Sequence, residues 1–381
     1  MNYKDIQNLI LTKTDANLSE FACKNSAAVR KNELTDDIRL PFAIDRDRII
    51  YSGPYRRLSG KTQVMYFATM QDEQITNRLL HIQYVSQIAR TIGAALGLNL
   101  DLLEAAALGH DLGHPPFGHD GERFLSKECE KYGIGKFHHN LHSLYIIDEF
   151  SYRGRGMNLT FQVRDAIVSH NGEIHQTRLA PDRSKTEAGL EDYRDKMRNA
   201  VSVQITPATL EGCVIRFCDT LAYIGTDIED AIRLNLITRE DLPADVVEIL
   251  GNNNGKIVGA LVKDIIETSY GQDYISFSEE VSHALKKLKS FNYERIYFHP
   301  KLKQQQKKIG YAFPVLFDTY LEDLKNHNRE SNIFNHFLDS KREEYLTKAS
   351  NAEKVRDFLA SMTDRYFKNQ LEKITIPYSE I

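Results

Sequence analysis

Four residues of this 381-residue chain have the types and order that a divalent cation needs: His81, the adjacent pair His110 and Asp111, and Asp219. Two imidazoles and two carboxylates form a mixed nitrogen and oxygen set suited to Mn²⁺, Mg²⁺ or Fe²⁺, with positions left open for water. A cation held this way acts as a Lewis acid and lowers the pKa of a bound water. Asp219 lies between Phe217 and Leu221, in a segment so apolar that an ionised carboxylate is costly without a partner. Each residue alone has a plainer reading. An inward histidine is more often hydrogen-bonded in a core, and Asp219 could pair with Arg216 or cap a neighbouring helix. The order His, His-Asp, Asp, with each member on a strongly apolar helix, is what points to metal.

The elements that carry these residues are helical. Apolar residues recur every three or four positions and two-residue alternation is scarce, which predicts an all-α fold. Ile82, Val85, Ile88, Ala89, Ile92 and Leu96 form one stripe that includes His81, and Gly97 suits the left-handed position after it. Asp101 and Glu104 resemble a capping box opening a second helix that runs into His110. Thr206 as cap and Pro207 as first residue would open a third, through Leu210, Val214, Phe217 and Leu221. Tyr223 and Asp227 follow Asp219 by four and eight residues, so the three share one face. The plainer reading makes Tyr223 packing and Asp227 a surface charge. Arg153 to Gly156, Gln176 to Lys196 and Gly251 to Lys256 read as surface loops. Without internal repeats or a Pro- or Ser-rich linker, the chain divides into an N-terminal helical extension (1–39), a catalytic unit (40–335) and an amphipathic helical tail (336–381).

Composition narrows the class. Forty-nine basic against fifty-three acidic residues give a net charge of −4, which does not announce a nucleic-acid binder. No apolar run approaches the ~20 residues needed to cross a bilayer, and the N-terminus offers no hydrophobic export region. The four cysteines, Cys23, Cys129, Cys213 and Cys218, lack paired C-x-x-C spacing and read as reduced and mostly buried, in a cytoplasmic protein.

The surrounding motifs are more specific than the ligand pattern alone. They run from Tyr51 to Val64 with the core Arg56-Arg57-Leu58-Ser59-Gly60-Lys61-Thr62-Gln63, from Asn77 to His81, from His110 to Glu122, at His139-Asn140, and from Asp219 to Tyr223, with a weaker echo at Tyr293 to Pro300. In these segments the chain resembles the deoxynucleoside triphosphate triphosphohydrolase branch of the HD superfamily, which includes the bacterial dGTPases. The resemblance implies an HD phosphohydrolase core and hydrolysis of deoxynucleoside triphosphates, of dGTP or of several bases, to deoxynucleoside and inorganic triphosphate. It implies His81, His110, Asp111 and Asp219 as ligands of Mn²⁺ or Mg²⁺, with Fe²⁺ as a further candidate. It assigns catalytic places to His119, Glu122 and His139, with proton donation by a histidine, phosphate contacts to Arg78 and Lys61, and sugar contacts to Gln63, Tyr223 and Asp227. Three departures stand out: the extra histidines at His138 and His142, the acidic Asp120 between His119 and Glu122, and Phe298 where an arginine is common. Relatives assemble into homo-oligomers, hexamers among them, and some bind single-stranded DNA. Lys286, Lys287, Lys289, Arg295, Lys301, Lys303, Lys307 and Lys308 would allow that here, although such a run is more often a solvated helix face. The rival readings are another HD reaction, on a nucleoside monophosphate, cyclic dinucleotide or alarmone, and a nucleotide sensor or DNA-binding protein without turnover.

Overall fold

The computed structural model describes residues 2–33, 37–64, 72, 74–171, 175–199 and 203–376. The fold is all-α, as the periodicity predicts. Among the described residues the regular strands are the two-residue pair β1 (Arg178–Leu179) and β2 (Ile275–Ser276), antiparallel with Arg178 opposite Ser276.

The helices follow in chain order. The first half carries α1 (Tyr3–Ala16), α2 (Pro41–Ile50), α3 (Gly53–Arg57), α4 (Arg78–Leu96), α5 (Leu100–Gly109), α6 (Gly118–Lys131), α7 (His139–Tyr145), α8 (Ser151–Gly154), α9 (Phe161–Val168) and α10 (Glu187–Asn199). The second half carries α11 (Leu210–Arg233), α12 (Ala244–Leu250), α13 (Asn254–Ser269), α14 (Glu279–Asn292), α15 (Pro300–Lys325), α16 (Asn332–His336), α17 (Glu343–Lys348), α18 (Asn351–Ser361) and α19 (Asp364–Thr375). Two π-helical turns, Ile146–Phe150 and Tyr293–Tyr297, extend α7 and α14.

Three helices pack mutually to position the site: α4, α5 and α11, backed by α2, α9 and α13. Their shared core buries Ile82, Val85 and Ile92 from α4, Leu102 and Ala106 from α5, and Val214 and Leu221 from α11. Each large apolar side chain so buried contributes roughly 1.5–3 kcal/mol. A second core joins α6 and α15 to the end of the chain, through Leu125, Phe313, Phe317, Phe358 and Phe367. Residues 351–375 therefore pack as part of the globule. Asp364 reaches from α19 into the motif region: its carboxylate accepts from the backbone N–H of Thr62 at 2.9 Å and of Phe117 at 3.0 Å.

The helix starts differ from the sequence reading in two places. Asn99, not Asp101, caps α5: its side chain accepts from Leu102 N–H, while Asp101 is drawn away by Arg46 at 2.6 Å. Thr209, not Thr206, caps α11. The carbonyls of Thr206 and Pro207 are still engaged outside the helix, by Lys185 Nζ and by the N–H of Asp182. The stretch from Gln176 to Lys196 is also more ordered than a loop. It supplies β1 and most of α10, because Glu187 pairs with buried Arg164 and Leu190 and Tyr193 enter a small core. At Arg153 to Gly156 the chain does turn sharply, with positive φ at Tyr152 and Arg153. The Gly251 to Lys256 loop closes early, since Asn253 caps α13. The cysteines are free and buried. No helix among the described residues is long and apolar enough to cross a membrane.

Candidate metal centre and active site

His81 enters the site from the first turn of α4. Asn77 caps that helix, and the apolar stripe of Ile82 and Val85 turns the imidazole inward, where it is 1% exposed. His110 and Asp111 stand where the alanine-rich α5 stops. The turn beyond is held by close packing: a Cβ on Gly113 would lie 2.2 Å from the His139 carbonyl oxygen and 2.2 Å from the Ser143 nitrogen. Asp219 projects from the middle of α11. The sequence-nominated four converge. His81 Nε2 lies 3.0 Å from Asp219 Oδ1, and His110 Nε2 lies 3.3 Å from Asp111 Oδ2 and 3.8 Å from Asp219 Oδ1. His110 Nδ1 hydrogen-bonds the Ala107 carbonyl at 2.7 Å, which aims Nε2 at the carboxylates. Buried His110 Nε2 has no hydrogen-bond partner, and donor atoms of His81, His110 and Asp111 lie within 4.8 Å of one another. Two imidazoles facing two carboxylates, with an orphaned buried nitrogen among them, fit a divalent cation of the hard or borderline class.

The electrostatics keep both carboxylates ionised, as cation ligands must be. Burial opposes ionisation of Asp111, yet Arg78 and His110 hold its carboxyl well below the usual range. Burial likewise opposes charge on Asp219, and His81 outweighs it. For His110 burial pulls the pKa down, but the Asp111 carboxylate raises it to about 9.

A cavity of about 230 Å³ opens on this cluster. Asp111 and Asp219 line it, while His81 and His110 stand behind them. Its walls bring together most of the other nominated residues: Gln63, Arg78, His119, His139, Tyr223 and Asp227. His139 Nδ1 meets Glu122 Oε2 at 2.9 Å, and His119 Nδ1 reaches the same oxygen at 3.4 Å. Burial would raise the Glu122 pKa, but the two histidines hold it well below its ordinary value. The neighbouring His138 is not on the cavity wall, so of the two adjacent histidines His139 is the one in the site. Asp227 accepts a hydrogen bond from the Tyr297 hydroxyl at 2.6 Å, and burial pushes its carboxyl up to about 7. Gln63 Oε1 is buried and unpartnered. The π-helical turn Tyr293–Tyr297 places Tyr293 and Tyr297 at the wall, with Phe298 beside them.

Two nominated contacts fall differently. Lys61 is outside the cavity: its ammonium is buried against the carbonyls of His114 and Ala360 and ties the motif segment to α18. Burial and the nearby Arg57 drive its pKa well below the usual value. Arg78 lines the cavity, but its guanidinium is ion-paired to Asp111. Asp120 is engaged by Arg123 and Gln306. The basic run near the Tyr293 echo is also divided: Lys287 pairs with Asp245, Arg295 with Asp241, and Lys289 is buried.

Sequence reasoning missed His114 and His170. His114 stacks on His139 with ring centroids 4.0 Å apart and lies 3.5 Å from Asp111 Oδ1. His170 Nε2 sits 3.1 Å from His139 Nε2. Burial, with positive neighbours, keeps both imidazoles neutral, His170 at about 3. The signal for His114 was present four residues after His110, on the same turn. His170 follows Ala166, Ile167 and Val168 just past the end of α9.

Comparison with known proteins agrees with this geometry. The HD domain model matches residues 78–224, the span that contains all four candidate ligands, and the phosphohydrolase-associated domain model matches residues 275–373. A deoxyguanosinetriphosphate triphosphohydrolase-like protein of Caldanaerobacter subterraneus subsp. tengcongensis is 36% identical over 362 residues, covering 94% of this chain and 93% of that protein. Proteins of the same description from Clostridium tetani and Clostridium perfringens are 35% and 33% identical, covering 92% and 99% of this chain and 89% and 97% of their own lengths. With the ligand pattern, the helical scaffold and near full-length similarity in agreement, the chain belongs to the deoxyguanosinetriphosphate triphosphohydrolase-like family of HD-domain phosphohydrolases.

Proposed function

We propose that this protein hydrolyses deoxynucleoside triphosphates, dGTP among them, to deoxynucleoside and inorganic triphosphate. The observation that carries the reading is one cavity lined by Asp111 and Asp219 of the His81, His110, Asp111 and Asp219 cluster, by His139, which Glu122 holds from behind, and by the polar groups of Gln63, Tyr223 and Asp227. Mn²⁺ or Mg²⁺ at the four-residue cluster would supply Lewis acidity at the α-phosphate and an acidified water.

The remaining work falls to the protein. Departure of the nucleoside 5′-oxygen requires a proton, and His139 is placed to give it. Glu122 holds His139 Nδ1 and also accepts the His139 backbone N–H at 2.7 Å, which fixes the ring with Nε2 facing inward. His114 stacks on the face of that ring and His170 Nε2 lies 3.1 Å from its Nε2, so the two limit its rotation. Arg78, already buried beside Asp111, offers a planar fork where phosphate charge accumulates. Asp227 and Tyr223 lie on the α11 face that carries Asp219, and with Gln63 they provide donors and acceptors for a sugar hydroxyl. The test is incubation with each deoxynucleoside triphosphate and Mn²⁺ or Mg²⁺, with products resolved by ³¹P NMR. Tripolyphosphate is expected; orthophosphate or pyrophosphate would move the protein to another HD reaction, and no turnover would favour a sensor.

A further inference from the structure

A second cavity, of about 480 Å³, lies away from the metal-centre cluster, between α3, the π-helical turn after α7 and the C-terminal helices. None of the candidate ligands borders it. Two cations do: Arg57 from the end of α3, and Lys341 from the turn before α17. Arg57 Nε is buried and has no hydrogen-bond partner, and no carboxylate among the described residues offsets its charge, so burial draws its pKa down to about 10. The Lys341 ammonium rests on the rings of Phe150 and Phe337, 4.6 and 4.3 Å from their centroids. Burial and the like charge of Arg57 lower its pKa to about 8, against a weaker opposing pull from Asp357. The acidic group on the wall, Asp357, is already used by Arg356 at 2.8 Å and by the Tyr345 hydroxyl at 2.9 Å. Two cations that repel each other across a cavity, one with an orphaned buried nitrogen, are a costly arrangement unless an anion joins them.

We infer that this cavity binds a phosphate-class oxyanion between Arg57 and Lys341. A guanidinium fork grips two oxygens of one tetrahedral anion and an ammonium serves as a point charge on a third. Phosphate carries close to two negative charges near neutrality, which matches two unpaired cations better than a monoanionic carboxylate does. The seat is mechanically linked to the first site. Ser361, Met362 and Thr363 border it, and on either side of them the Ala360 carbonyl holds Lys61 while Asp364 holds Thr62, the residues that precede Gln63. An anion here therefore orders the junction of α18 and α19.

The experiment is thermal denaturation of the full chain in EDTA, at constant ionic strength set with NaCl, against inorganic phosphate, tripolyphosphate and dGTP in separate arms. Wild type is compared with Arg57→Met and Lys341→Met. Wild-type melting temperature is expected to rise with the phosphate arms in a saturable way, with half-saturation at least tenfold weaker in both variants. Without anion, Arg57→Met is expected to melt at or above the wild-type temperature, because an unpaired buried charge is gone. A rise with dGTP alone that both variants lose would assign the site to phosphate borne on a nucleoside. Absence of any rise beyond the NaCl control, or an equal rise in both variants, overturns the inference, the latter by placing the anion elsewhere. Should Arg57→Met fail to fold, Lys341→Met decides by the same criterion.

Discussion

Replacing Asp227 by Asn should stabilise the protein at alkaline pH and leave it unchanged in acid. Asp227 is 1% exposed, and burial raises its pKa from 3.8 to about 7 against the opposing hydrogen bond from Tyr297. A carboxyl whose folded pKa lies above its unfolded value carries no penalty below about pH 4, where both states are protonated. The penalty grows as pH rises and is complete above about pH 7. A shift of about three units at 1.36 kcal/mol each corresponds to on the order of 4 kcal/mol, an upper figure because the folded site can relax. Asn keeps an oxygen acceptor for the Tyr297 hydroxyl and removes the ionisable group. The assay is urea denaturation of metal-free wild type and Asp227→Asn from pH 4 to pH 8.5, reported as the difference in unfolding free energy. The variant should be ahead by a few kcal/mol at pH 8 and level near pH 4. A difference that is flat with pH, or that favours wild type at pH 8, would refute the assignment of Asp227 as a buried, strained carboxyl.

Other perturbations test other parts of the account. Glu122→Gln keeps the shape of the His139 contact but removes its charge, worth about 1.5–3 kcal/mol for a charged hydrogen bond, so kcat should fall about 10- to 150-fold with little change in KM; a change below twofold would remove Glu122 from proton handling. Asp219→Asn should lower bound Mn²⁺ at least tenfold in a metal analysis after equilibrium dialysis, and full retention would contradict the proposed ligand set. Asp364→Ala strips acceptors from Thr62 and Phe117 and should cost on the order of 3–5 kcal/mol in chemical denaturation, with a rise in KM if Gln63 loosens with its neighbours. Gly113→Ala forces a methyl group into backbone atoms of His139 and Ser143 and should cost at least about 1–3 kcal/mol, visible in the denaturation midpoint.

What the sequence revealed depended on how local the signal was. The stripe around His81, the left-handed Gly97 and the shared face of Asp219, Tyr223 and Asp227 are set by helical periodicity, and the structure shows each of them. The place of Lys61 outside the cavity was not legible because its partners, the carbonyls of His114 and Ala360, are distant in sequence and a lysine beside a site reads first as a phosphate contact. His170 was invisible for a similar reason: only the packing of α9 against α7 brings it to His139. The caps at Asn99 and Thr209 were displaced by a residue or more because several good capping residues stood close together and tertiary partners, Arg46 and Lys185, claimed the others.

The most direct test of the central claim is the fate of water oxygen. Turnover of dGTP with Mn²⁺ in H₂¹⁸O, followed by the isotope shift in ³¹P NMR, should place one ¹⁸O on a terminal phosphorus of tripolyphosphate and none in the deoxynucleoside, as attack at the α-phosphorus requires. Label in the deoxynucleoside, or label in orthophosphate or pyrophosphate released with a nucleotide, would contradict it.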